Sequence, residues 1–107
     1  MIIVRQLLNN ATATGEGSWM DTGGIDSDRA YSFVVNGTGA VAATVEVYVS
    51  NDNGVTAYLF ATETLSGTTQ AKNAFPRTAA YPHTMAKITS ISGTGAAVDV
   101  RVLGHAR

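Results

Sequence analysis

The tetrapeptide Gly-Thr-Gly-Ala occurs twice, at residues 37–40 and 93–96, and each copy is entered from and left into a β-rich run. Paired glycines supply the positive φ that tight reversals need. A four-residue linker is too short for a parallel crossover. The spacing therefore predicts two antiparallel hairpins, residues 31–50 and 88–103, reversing at Gly37 and Gly39 and at Gly93 and Gly95.

The flanking residues alternate as strands do. Ala43, Val45, Val47 and Val49 share one face, against Thr44, Glu46, Tyr48 and Ser50. Val98, Val100 and Val102 repeat the pattern against Asp99 and Arg101. Tyr31, Phe33 and Val35 alternate with Ser32, Val34 and Asn36, and Val34 makes that strand apolar on both faces, so it is expected to be central or covered. Ile88 and Ile91 lie three apart, which predicts a bulge or a change of face near Thr89 and Ser90.

Residues 1–8 (MIIVRQLL) read as a first strand; their Arg and Gln interrupt the apolar run that a signal peptide would need. Residues 9–18 read as a loop. A short strand is expected at 19–22, a break at Gly23 and Gly24, and a turn at Asp26–Asp28 before the first hairpin. Asn51-Asp52-Asn53-Gly54 is a strong turn signal, with Gly54 the reversal into a strand at 56–61. That strand continues past a kink through 63–65 and ends at Ser66-Gly67. Residues 68–82 hold Pro76 and Pro82 and are expected to be the least regular region, with room for one helical turn within 70–80 and with Phe75 and Tyr81 anchoring it to the core. Strands at 85–92 and 97–103 close the domain, and 104–107 read as a frayed tail.

The fold class that follows is all-β: one antiparallel β-sandwich domain over 1–107, with seven or eight short strands, arranged as a jelly roll or a small barrel if not as a plain sandwich. A chain of 107 residues can bury roughly two-thirds of its unfolded surface and needs no staple. It has no cysteine, which excludes disulfides and thiolate metal sites and fits assembly in a reducing cytoplasm. No run approaches the ~20 apolar residues of a membrane helix. The net charge of −1, without a basic stripe, gives phosphate-driven nucleic-acid binding little to work with.

Charged residues make up 14% of the chain, against roughly 25% in typical globular proteins. A surface of Thr, Ser, Ala, Asn and Gly is less protected against association. Either neighbours cover much of it, or the composition follows a high-GC genome.

Catalysis needs convergent titratable groups. His83 lies in a loop and His105 in the tail, and no serine sits in a nucleophile elbow, so no catalytic set, cofactor or small-molecule substrate is expected. Asp21, Asp26 and Asp28 form a grouping that hard cations use, and Asp52-Asn53-Gly54 is part of a calcium-loop pattern without its closing Glu. Aspartates in turns also bond their own backbone, which explains both without a metal. Asn10 and Asn36 head short N-glycosylation matches. Trp19, Tyr48, Tyr58 and Tyr81 could stack on sugars or pack at a core or subunit interface.

Residues 31–50, the Ser50–Gly54 turn and the run 81–98 resemble small virion structural proteins of tailed bacteriophages, in which a strand, an SGTGA segment and a second strand recur with an SND-G turn. The resemblance spans about residues 30–103, and residues 1–8 have no counterpart in it. It implies a β-sandwich subunit that packs into a virion assembled in the host cytoplasm, as a capsid decoration (cement) protein against the major capsid protein. Tail and baseplate subunits share the same look, and a carbohydrate-binding module of a host-facing appendage is the alternative from another class. A dimer or trimer is expected. The candidate contact residues are Ile2, Ile3, Trp19, Tyr48, Tyr58, Phe75 and Tyr81, together with the 68–82 segment.

Overall fold

The computed structural model describes residues 1–78 and 80–107. Seven strands follow in order: β1 (Ile2–Ala11), β2 (Gly15–Glu16), β3 (Met20–Asp21), β4 (Ile25–Ser50), β5 (Tyr58–Thr78), β6 (His83–Ser92) and β7 (Ala97–Ala106). They form one antiparallel sheet in the order β1-β7-β4-β6-β2, with β3 added on β6 and β5 on β4.

Neither Gly-Thr-Gly-Ala copy is a hairpin reversal. β4 runs unbroken for 26 residues through Gly37 and Gly39. One of its edges is paired with β5 throughout, and the other with β7 over its first half and β6 over its second. β6 and β7 therefore run in the same direction, end to end, and Gly93 and Gly95 lie in the connection between them, where a turn closed by the Ala96 N–H donating to the Gly93 carbonyl at 3.3 Å bends the chain without reversing it. The register places the two copies opposite each other: Asn36 pairs with Ala97 on one side of them and Ala42 with Ser92 on the other. The Thr38 N–H donates to the Thr94 carbonyl at 2.9 Å across this junction. Glycine permits a reversal without compelling one. Had the arms of β4 folded on each other, each would have lost a paired edge that its present neighbours supply.

At this junction the sheet turns a corner. Gly39, Gly93 and Gly95 hold φ of 85°, 109° and 68°, and on β5 Thr69 holds φ of 70°. The alternation of β4 survives the corner, so Tyr31, Phe33 and Val35 before it and Val41, Ala43, Val45 and Val47 after it enter one core. The two halves of the sheet become layers facing each other. Tyr31, on the first layer, packs against Phe60 on the second at 5.8 Å between ring centroids. Its hydroxyl also lies 3.2 Å from that of Thr84 on β6. Thr84 gives its single proton to the Tyr48 carbonyl at 3.0 Å, so Tyr31 is the donor of the pair. Burial raises the Tyr31 pKa above its ordinary value; the Thr84 hydroxyl and the Arg29 guanidinium pull the other way without overcoming it.

Other expectations change with the corner. Asp26 and Asp28 lie within β4 rather than in a turn, and β1 runs to Ala11, with β2 inside the expected 9–18 loop. The 68–82 segment is mostly strand: β5 continues to Thr78, no helical turn occurs among its described residues, and Ala79 lies outside them. Pro76 is tolerated because β5 is an edge strand. The 104–107 tail is tied down, as the Ala106 N–H donates to Met1 and the Arg107 N–H to Gly24. The expected bulge is present, with Thr44 opposite Ser90 and Val45 opposite Ile88, which leaves Thr89 out of register and returns Ile91 to the core side. Gly54 lies in the connection from β4 to β5.

Candidate functional site

The outward face of the first layer carries the most distinctive surface. Val4 on β1 lies opposite Leu103 on β7, Leu103 opposite Ala30 on β4, and Ala30 opposite Pro76 on β5. These four side chains form an apolar row across four strands. Val4 and the neighbouring Ile2 are each 50% exposed. A shallow depression of about 530 Å³ lies along Leu103, Ala30 and Pro76, and Ile2, Asp28, Arg77 and His105 also line it. The next row, Gln6, Arg101, Ser32 and Ala74, is mainly polar.

The outward face of the second layer is different. Thr44, Glu46, Thr62, Thr64, Ser66, Lys87 and Ser90 give it a hydroxyl-rich, charged character. Tyr48 lies on this face and donates to Glu46 Oε1 at 2.8 Å; that bond, ahead of partial burial, raises the tyrosine pKa.

The sequence-predicted contact residues do not form one patch. Ile2 joins the apolar row, whereas Ile3 faces inward and is half-buried. Trp19 is half-buried against Gly54, where an added Cβ would lie 2.5 Å from the indole nitrogen. Tyr58 and Tyr81 pair at 6.0 Å, with Tyr58 47% exposed and Leu59 beside it 56% exposed. Phe75 turns inward, 5.3 Å from Phe33, with the Arg77 guanidinium 4.4 Å from its ring centroid. Sequence reading singled out none of Val4, Leu103 and Pro76, although Val4 lies in the N-terminal strand and Pro76 in the 68–82 segment, both expected contact elements. Leu103 carried a signal, because it falls out of phase with Val98, Val100 and Val102 and so must face outward.

The aspartates proposed as a hard-cation grouping are used separately. Asp21 Oδ1 accepts from the Gly23 N–H at 2.7 Å, and Asp28 Oδ1 from the Thr78 hydroxyl at 3.0 Å. Among the described residues no three His, Asp or Glu side chains converge on a metal-sized site. Asp52 Oδ1 accepts from the Ser50 hydroxyl at 2.7 Å and the Thr56 N–H at 2.8 Å, and these bonds hold its pKa below the usual carboxylate value.

Arg29 is 4% exposed and has all five N–H donors engaged. They reach the Asp26, Thr22, Ile25 and Tyr81 carbonyls and the Thr22 hydroxyl, at 2.9 to 3.4 Å. No donor remains for a ligand, so this guanidinium fastens the 22–26 segment and Tyr81 to the first layer.

No known family model and no curated protein matches the chain. Among solved structures it is similar to SPBc2 prophage-derived protein YomS, with a TM-score of 0.60 and 17% identity over 96% of this chain and 91% of that one. At that identity the likeness describes the fold.

Proposed function

We propose that this chain is a non-enzymatic structural protein of a phage particle, a decoration subunit that lies over seams between major capsid proteins in the virion. The observation that carries the reading is the apolar row Val4, Leu103, Ala30 and Pro76 on one exposed layer, set against a hydroxyl-rich layer on the other side. The phage setting draws support from the likeness in fold to a prophage-derived protein.

The mechanism is burial. Four strands at their usual spacing make a patch on the order of 300 Å². At about 25 cal/mol per Å², covering it contributes roughly 7 kcal/mol before costs. Immobilising a free protein costs about 4–15 kcal/mol, so a single patch holds weakly. Linked copies gain through effective concentration, which favours a subunit that docks as an oligomer on a repeating shell.

The test is mass spectrometry on purified particles, with heads and tails separated. Stoichiometric copies in the head fraction are expected, and copies confined to tails would move the role to a tail or baseplate subunit. Absence from both would end the reading. Val4→Glu should fold as the parent does and fail to join the particle. The Tyr58–Tyr81 pair, with Tyr58 exposed, favours a second reading, sugar binding; a specific glycan-array signal lost on Tyr58→Ala would support that instead.

A further inference from the structure

We infer that two copies of this chain pair through the two arms of β5, each arm adding as a strand to the opposite arm of its partner. The inference deepens the particle role proposed above and, as a biological assembly, rests on it.

The two-layer body is closed on one side and at the corner. On the β1 side the chain crosses from the first layer to the second, and Gly17 seals the crossing: its N–H donates to the Ala86 carbonyl at 2.8 Å, and an added Cβ would strike the Leu7 carbonyl. The β5 side stays open. β5 is 21 residues long and pairs only with β4, so both layers end there on an unpaired backbone edge. Such an edge is a template for another strand. The arm 58–68 edges the second layer and the arm 70–78 edges the first.

The arms run antiparallel to each other at matching height. The Asn73 amide donates across the opening to Glu63, and near the corner a Cβ on Gly67 would lie 3.2 Å from that of Ala71. A two-fold axis along the arms, midway between the layers, exchanges the layers and keeps strand direction. It sets each 58–68 arm antiparallel beside the partner's 70–78 arm, so one operation pairs both open edges and continues both layers across the dimer. An axis perpendicular to the layers would instead pair each arm with its own copy.

Charge decides between them. The 58–68 arm carries only Glu63, whereas the 70–78 arm carries Lys72 and Arg77. The first axis sets arms of opposite net charge side by side, and the second sets arms of like charge together. The level at which Glu63 meets Asn73 places residues 61–66 opposite the partner's 70–75, and Pro76, which has no N–H to give, ends each ladder. The same contact approaches Leu59, which is 56% exposed, and the partly buried Phe60 and Phe75 at the opening.

The register is tested with cysteine pairs, and the chain has no cysteine of its own. Thr62 and Ala74 are exposed, on outward faces of opposite layers, so they cannot bridge within one chain. In the dimer they lie directly opposite, about 4.5–5.5 Å apart between Cα atoms, inside disulfide range. T62C/A74C should convert under mild oxidant from the 11.1 kDa species to one of twice that mass on a non-reducing gel. T64C/K72C, one pleat along, should do the same, and T62C/T78C, roughly 13 Å out of register, should not. The unmodified chain should sediment as a dimer. A monomer by sedimentation, or a dimer that neither matched pair cross-links, overturns the inference. If particles contain the chain and the pairs stay uncoupled, only the edge pairing falls. If the pairs couple and particles lack the chain, only the particle role falls.

Discussion

Alanine at Gly93 should be far more damaging than alanine at Gly39, although both glycines occupy left-handed backbone at the same corner. At Gly39, φ is 85° and no heavy atom lies within 4 Å of an added Cβ. The cost there is backbone strain alone, roughly 1–2 kcal/mol. At Gly93, φ is 109° and the added Cβ would lie 2.5 Å from the Ala40 carbonyl oxygen and 2.9 Å from Val41 Cα. Both obstacles are backbone atoms of β4, held on one edge by β5 through the Ala40–Thr68 and Val41–Gly67 pairs, so they cannot swing aside as a side-chain tip would. Strain of about 1–3 kcal/mol combines with an overpacking cost of about 1–3 kcal/mol, for roughly 2–6 kcal/mol in all. Domains of this size hold about 5–15 kcal/mol in total. The midpoint of thermal unfolding should fall by about 10–50 °C for Gly93→Ala, at roughly 4–8 °C per kcal/mol. Gly39→Ala should lose about 5–15 °C by the same conversion. Gly95→Ala, with φ of 68° and its nearest neighbour Thr38 Oγ1 at 4.0 Å, should behave like Gly39→Ala. The assay is urea and thermal denaturation of the three variants side by side. If Gly93→Ala unfolds within about 1 kcal/mol of Gly39→Ala, a margin at the edge of what such comparisons resolve, the opposed-corner reasoning is refuted.

Arg29→Met should keep the side-chain volume and lose every donor that fastens residues 22–26 and Tyr81. Charged hydrogen bonds contribute about 1.5–3 kcal/mol each when measured singly, and in a shared network the loss should be about 3–5 kcal/mol. Faster amide exchange in residues 22–26 would localise it. The raised Tyr31 pKa implies alkaline sensitivity: below the ordinary value of about 10 the hydroxyl is neutral in both states, and above it the unfolded chain ionises first, so stability falls as pH rises. Tyr31→Phe should lose about 1 kcal/mol at neutral pH and flatten that alkaline slope in urea titrations. The lowered Asp52 pKa has the opposite sign. Its turn is held above the ordinary carboxylate value and released as pH falls through the depressed one, which amide exchange of Gly54 and Thr56 between about pH 5 and 2 should show, and Asp52→Ala should abolish the dependence.

Alternation made the core legible in the sequence. Tyr31, Phe33 and Val35 and then Ala43, Val45, Val47 and Val49 read as the apolar positions of two strands, and they share one face of β4, because period-two patterning survives a corner as well as a straight run. The bulge at Thr89 was readable for the same reason. The direction of the chain after a glycine pair was not, because Gly-Thr-Gly serves a reversal and a bend equally. The choice depends on what lies alongside, and β5, β6 and β7 come later in sequence. The apolar row was hidden by the same long-range register: Val4, Leu103, Ala30 and Pro76 are scattered along the chain and become neighbours only when β1, β7, β4 and β5 align.

The corner also explains why the open side is narrow enough for both arms to be reached by one partner. Between Asn36 and Ala40, β4 spends three residues in the turn, while between Gln70 and Thr68 its neighbour β5 spends only Thr69. β5 therefore takes the tighter path and pinches its arms together, which is why a Cβ on Gly67 would crowd Ala71 at 3.2 Å and why Asn73 can reach Glu63. A residue inserted beside Thr69 would lengthen that path without touching the core strands. The Asn73–Glu63 contact would slip, the arms would part, and both would no longer fall within the ~4.8 Å pairing distance of a single partner. Such an insertion should leave thermal stability nearly unchanged, since loops at exposed edges tolerate added length, yet abolish T62C/A74C cross-linking. Cross-linking that survives it would mean that the pinch at Thr69 does not set the pairing.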